Sequence, residues 1–150
     1  MIRQAALSGA DVAKFQLYDA VALLGSDRWS YLQLDRPTVE RVKRWCEQDG
    51  IEFMASVFDE ERLGWCEDLA VSRYKVASRT VGRDPALCQR VLETGKPVIM
   101  SLGEWSARDL PFGRSPQISY LFCKSAYPAF LEDFRTLSPG FRGRGSGRIQ

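Results

Sequence analysis

The sequence predicts an α/β fold in which about five parallel strands alternate with helices, and three observations carry that prediction. Short apolar runs of strand length recur along the chain. Between them lie segments whose apolar residues repeat at helical spacing, bounded by Pro, Gly and Asp. The last four strands begin 21 to 24 residues apart, a period that suits a repeated strand-plus-helix unit. Such alternation argues for a parallel sheet with helices outside it.

Taken in order, the strands are predicted at Val12–Leu17, Ile51–Val57, Arg73–Ala77, Pro97–Leu102 and Ile118–Cys123. The first helix between them covers Thr38–Gln48, where Val39, Val42, Trp45 and Cys46 share a face, Pro37 stands at the start and Gly50 at the stop. The second covers Glu60–Leu69: Asp59 is a good N-cap, and Leu63, Cys66 and Leu69 recur at helical spacing. Asp84 and Pro85 open the third, which carries Leu87, Cys88, Val91 and Leu92 and closes at Gly95. Tyr18–Arg36 is long for a connection and is expected to hold local structure or function. Glu104–Gln117 contains Pro111, Gly113 and Pro116, so any helix there is short. The aromatic residues Trp29, Tyr31, Trp45, Trp65 and Trp105 are read as core or lid packing.

With 150 residues, 45% hydrophobic and 27% charged, the composition is that of one globular domain. No stretch approaches the 18 or more apolar residues of a membrane span, and no signal-peptide pattern opens the chain, so no membrane is expected and a cytoplasmic location is. There is no histidine, which excludes Ser-His-Asp triads, Cys-His pairs and imidazole proton shuttles built from this chain alone. Cys46, Cys66, Cys88 and Cys123 form no CxxC pair and read as reduced core thiols. The net charge of +2 is uneven: residues 135–150 hold Arg135, Arg142, Arg144 and Arg148 and no acid, leaving 17 cations against 19 acids before them. Residues 1–134 are therefore read as the folded domain and 135–150 as a Gly/Arg-rich, disordered tail. Its arginines could touch RNA. A merely solvated tail is the preferred reading, and no nucleic-acid partner is expected.

Polar residues collect at the C-terminal ends of the strands: Lys14 and Gln16, then Ser56 and Asp59, then Lys75 and Ser78, then Ser101, then Lys124, Ser125 and Tyr127. In a parallel sheet these ends share one side, where ligands bind. Two strand lysines with a ring of serines make a cup suited to a small polyanion bearing phosphate and carboxylate groups. Singly, a strand lysine can snorkel to the rim and a serine there can serve a turn. Lys14 is the more informative, because alternation sets Val12, Lys14 and Gln16 against Ala13, Phe15 and Leu17.

Gly9-Ala-Asp-Val-Ala-Lys14-Phe-Gln16 and Gly50-Ile-Glu-Phe-Met-Ala-Ser56-Val-Phe-Asp59 resemble the sialic acid synthase family. Tyr74-Lys75-Val-Ala-Ser78, Thr94-Gly-Lys-Pro-Val-Ile-Met-Ser101-Leu-Gly103 and Cys123 with Tyr127-Pro128 continue the match in the family's order, from about Ala5 to about Phe134. The resemblance implies a TIM (β/α) barrel, here a partial one covering the second to sixth strands. It implies condensation of phosphoenolpyruvate with N-acetylmannosamine or a related amino sugar, with release of phosphate. A bound Mn²⁺ or Mg²⁺ would polarise the sugar aldehyde. Position by position, Lys14, Ser56, Lys75, Ser78 and Ser101 would hold phosphoenolpyruvate. Ser125, in place of a family asparagine, and Tyr127 would lie on the sugar side.

The sequence also departs from the family. Arg79-Thr80 stand where the family has Gly-Glu, Ser56-Val57 where it has Thr-Pro, and Leu102 where it has Thr. The family's metal-binding histidines have no counterpart, so no catalytic residue is assigned and no ligands for the divalent metal are found. Only the phosphoenolpyruvate subsite is expected to be retained. Five strands without the rest of a barrel would leave two open edges, and self-association or a second chain completing the barrel is the alternative expectation. A truncated gene product is the other alternative.

Overall fold

In a computed structural model of the chain, residues 1–126, 128–130 and 132 are described. The tail from Arg135, Tyr127 and the predicted domain boundary near residue 134 lie outside them.

Five strands form one sheet: β1 (Val12–Leu17), β2 (Glu52–Val57), β3 (Tyr74–Val76), β4 (Val98–Ser101) and β5 (Ile118–Leu121). All neighbours are parallel, in the order β1-β2-β3-β4-β5. An unreversed order combined with right-handed crossovers sends each connection to the same side of the sheet, which is the geometry of a barrel wall. The fold is thus a partial TIM-type barrel. Four of the five hydrogen-bonded strands are shorter than their apolar runs, because composition marks the buried segment and not the ladder.

The helices follow the same logic. They are α1 (Ile2–Leu7), α2 (Ala20–Leu24), α3 (Arg36–Gln48), α4 (Glu60–Asp68), α5 (Ser78–Arg83) and α6 (Pro85–Glu93). Carboxylates start four of them: Asp19, Asp35, Asp59 and Asp84 accept from the backbone N–H groups of Ala22, Thr38, Arg62 and Leu87. Gly50 and Gly95, at φ 67° and 71°, end α3 and α6 in the left-handed conformation that favours glycine. The Tyr18–Arg36 connection does hold local structure, α2 and a 3₁₀ turn over Asp27–Leu32.

Alternation splits the sheet into two unlike faces. Leu17, Phe53, Ala55, Val57, Tyr74, Val76, Val98 and Met100 are buried against α3–α6. Val39, Val42 and Cys46 of α3, Leu63 and Cys66 of α4, and Leu87, Cys88 and Val91 of α6 supply the other half of that core. Trp45 departs from expectation: it is 50% exposed. It sits about 100° round the helix from Cys46, at the edge of the apolar arc. Trp29 and Tyr31 are likewise exposed, whereas Trp65 and Trp105 pack partly buried against the core. On the opposite face Lys14, Gln16, Ser119 and Leu121 are exposed, and no element among the described residues covers them.

Candidate functional site

Strand register brings the uncovered face into rows. Gln16 pairs with Ser56, Ser56 with Lys75, Lys75 with Ile99, and Ile99 with Ser119, so these five side chains cross the sheet at one level. Lys14 lies one level below beside Met54, and Ser101 one level above beside Leu121. Lys14, Ser56, Lys75 and Ser101 therefore stand on one face, the two lysines at mid-strand and the two serines near the C-terminal ends of theirs.

Ser78 opens α5 directly after β3, and its hydroxyl accepts from the Gly103 backbone N–H at 3.0 Å. The Cys123 thiol lies 3.3 Å from the same oxygen. Gly103 is a required glycine: a Cβ there would stand 2.5 Å from Ser125 Oγ and 3.0 Å from the carbonyl oxygen and sulfur of Cys123. The turn after β4 and the chain after β5 are thus pressed together beside Ser78, which brings Ser125 to the same end of the sheet. Tyr127 is outside the described residues. Cys123 is half-buried, unlike Cys46, Cys66 and Cys88, and all four are free. Burial pushes the Cys66 and Cys88 thiols up to about 12.

The electrostatics of this cup are one-sided. Neither Lys14 nor Lys75 forms an ion pair among the described residues. Burial, and next the nearby Lys14 cation, lower the Lys75 pKa, while Cys123 opposes the shift. Ser56 is 1% exposed, and its hydroxyl has no hydrogen-bond partner among the described residues. A buried hydroxyl left without a partner costs about 1–3 kcal/mol, which makes Ser56 the costliest polar group at this level of the sheet. An anion would both satisfy Ser56 and relieve the two lysines.

Beside the cup is a cavity of about 190 Å³ under α2, the end of β2 and α5, lined in part by Asp19, Asp59, Arg79, Thr80, Arg83 and Asp84. It was not legible in the sequence, because α5 carries Thr80, Val81 and Gly82 and shows no helical signature. The only signal at this spot was that Arg79-Thr80 depart from a Gly-Glu pattern. No group of three or more His, Cys, Asp or Glu side chains among the described residues could hold a metal ion. The divalent metal implied by the resemblance therefore finds no fitting ligand set there.

A family model described as the NeuB family matches residues 1–137. An uncharacterized protein of Methanocaldococcus jannaschii is 30% identical over 145 residues, covering 89% of this chain and 43% of that protein. Human N-acetylneuraminate-9-phosphate synthase is 29% identical over 157 residues, covering 89% of this chain and 44% of the enzyme. The chain thus spans less than half the length of the curated relatives it matches. Among solved structures, N-acetylneuraminic acid synthetase of Leptospira borgpetersenii in complex with citrate superimposes with a TM-score of 0.79 at 24% identity, covering 89% of this chain and 50% of that one.

Proposed function

The chain belongs to the NeuB family, and from that premise we propose that its open sheet face is the phosphoenolpyruvate-binding part of a sialic acid synthase-type site. In this reading Lys14 and Lys75 take the phosphate and carboxylate charges, and Ser56, Ser78 and Ser101 donate to their oxygens. Ser125 lies toward the amino sugar, and the resemblance alone assigns Tyr127 to that side. The observation that carries the reading is the buried, unpartnered Ser56 hydroxyl, set in register between Gln16 and the desolvated, acid-free Lys75. Such a row costs folding energy and gains it back only when an anion is bound.

What the residues do chemically is bind and orient. The lysines fix the anion at the strand ends, and the serines set its rotation, so that the enol carbon faces the sugar side. No step is assigned to a metal, for which the described residues offer no site. A thermal melt followed by near-ultraviolet circular dichroism, with and without millimolar phosphoenolpyruvate, tests the reading. A ligand at a hundred times its dissociation constant stabilises by about 2.7 kcal/mol, so the midpoint is expected to rise. An unshifted melt overturns phosphoenolpyruvate binding.

A second reading has its own observation. The uncovered face and the two edge strands, β1 and β5, leave backbone and side chains unpartnered among the described residues. A partial barrel completed by a second chain or a second copy would cover both. A well-behaved monomer by light scattering would leave that reading without support.

A further inference from the structure

We propose that Lys75 is also a nucleophile, whose amine forms an imine with a short 2-oxo acid seated in the cup. This goes beyond phosphoenolpyruvate, which has no carbonyl carbon to attack. It rests on the synthase-type reading only in that the cup receives a carboxylate.

The lysines differ in how they are engaged. Lys43 pairs with Glu47, and Lys96 reaches Glu67 at 2.6 Å, so a carboxylate holds each of these amines as a cation. Lys75 has no such partner among the described residues; the titratable groups that bear on it are Lys14 and Cys123. It is half-buried in β3, between Ser56 of β2 and Ile99 of β4 at the same level. Burial, and next the Lys14 cation, favour its neutral form, the one with a lone pair. A desolvated lysine beside a second cation is a setting in which an amine becomes a nucleophile.

Its neighbours supply what the reaction needs. Lys14 is exposed on the same face, one level below, and forms no ion pair among the described residues. Its charge suits a carboxylate. In a 2-oxo acid the carbonyl carbon is bonded directly to the carboxylate, so one amine holds the anion while the adjacent amine meets the electrophile. A simple aldehyde or ketone would leave Lys14 unused. Ser56 stands beside Lys75 in register, 1% exposed, with a hydroxyl that has no partner among the described residues. It can donate to the carbonyl oxygen as charge develops there. Ser78 is already committed, accepting from Gly103 at 3.0 Å with the Cys123 thiol 3.3 Å away.

The step balances without an oxidant or a reductant. The neutral Nζ attacks C2, a C–N bond forms, and the π pair of the carbonyl moves to oxygen. One proton passes from nitrogen to that oxygen, giving a carbinolamine. The hydroxyl then leaves with the second nitrogen proton as water, and the C=N bond closes.

The test uses the full 150-residue chain with pyruvate and cyanoborohydride, which reduces an imine to a stable secondary amine, followed by peptide mass mapping. A carboxyethyl group is expected on Lys75, formed at least about tenfold faster than on Lys43 or Lys96, and faster as pH rises. Acetone, which has the carbonyl and no carboxylate, should label Lys75 about tenfold more slowly, the scale of one charge-assisted hydrogen bond. Ser56→Ala should slow the labelling by a similar factor of about ten with an unchanged melt, and an unslowed rate overturns the role given to Ser56. Equal labelling of all the lysines overturns the proposal, as does equal labelling of Lys75 by acetone and pyruvate. Millimolar phosphoenolpyruvate should protect Lys75. Labelling of Lys75 without protection upholds the nucleophile and overturns the phosphoenolpyruvate cup. No labelling, with a melt raised by phosphoenolpyruvate, upholds the cup and overturns the nucleophile.

Discussion

At the N-terminal ends of the strands, charge is matched at short range. Arg73 lays both ends of its fork on Glu52, at 2.7 and 2.6 Å, and Ser72 donates to the same carboxylate at 2.6 Å. Lys96 meets Glu67 at 2.6 Å, and the hydroxyl of the fully buried Tyr74 donates to that carboxylate as well. Further along the same strands, Lys75 in the middle of β3 is desolvated without an acid, and Ser56 near the end of β2 has no partner among the described residues. One end of the sheet has its charges matched, and the other holds polar groups left without partners among the described residues. Parallel sheets permit this division because every strand presents the same end to the same side.

The sharpest way to break the contrast is to damage the matched end. Tyr74→Ala empties a fully buried aromatic site and orphans the Glu67 contact, so it should destabilise the chain by about 3–5 kcal/mol in denaturant titration. A loss under 1 kcal/mol would mean that this end is not the stabilising one.

Lys75→Met works the other way round. It removes a desolvated cation, so the melting temperature should hold or rise while phosphoenolpyruvate affinity falls about a hundredfold, or about 2.7 kcal/mol. Because the folded pKa of Lys75 lies below its unfolded value, the unfolded chain binds more protons between the two, and wild-type stability gains from Lys75 as pH rises through that window. Phosphoenolpyruvate binding should weaken over the same rise, since the anion needs the protonated amine. Titrations at several pH values on wild type and Lys75→Met check both signs; a melt lowered by Lys75→Met would place that lysine among the stabilising contacts.

The smallest effect belongs to Ser56→Ala. Deleting a buried hydroxyl that lacks a partner should leave the ligand-free chain as stable or up to about 1 kcal/mol more so, and weaken phosphoenolpyruvate binding about tenfold. Destabilisation of the free chain by this change would show that the hydroxyl is satisfied in solution.

Much of this contrast was legible in the sequence. Proline, glycine and aspartate punctuation located α3, α4 and α6, and alternation in Val12–Leu17 separated Lys14 and Gln16 from the residues that meet the helices. The strand-end serines and lysines could be read because parallel strands share a direction. What escaped were features set by tertiary contact. α5 carries β-branched residues and a glycine, and its start is held by packing and by the Ser78–Gly103 bond across 25 residues. Trp45 matched the helical period yet fell off the buried arc. The matched pairs Arg73–Glu52 and Lys96–Glu67 lie 21 and 29 residues apart, and no local pattern announces them.

The unreversed strand order also bears on how the chain assembles. Each strand pairs with the next one synthesised, and successive ladders close across 40 residues (Val12 to Glu52), then 19 (Ala55 to Tyr74), 24 (Tyr74 to Val98) and 20 (Val98 to Ile118). Loop-closure entropy grows only as the logarithm of length, so the first and longest closure costs about 0.6 kcal/mol more than the rest. It is rewarded by the longest ladder, six residue pairs. Once β1 and β2 have met, each later strand has a finished edge to join as it leaves the ribosome, and the wall can grow in the direction of synthesis.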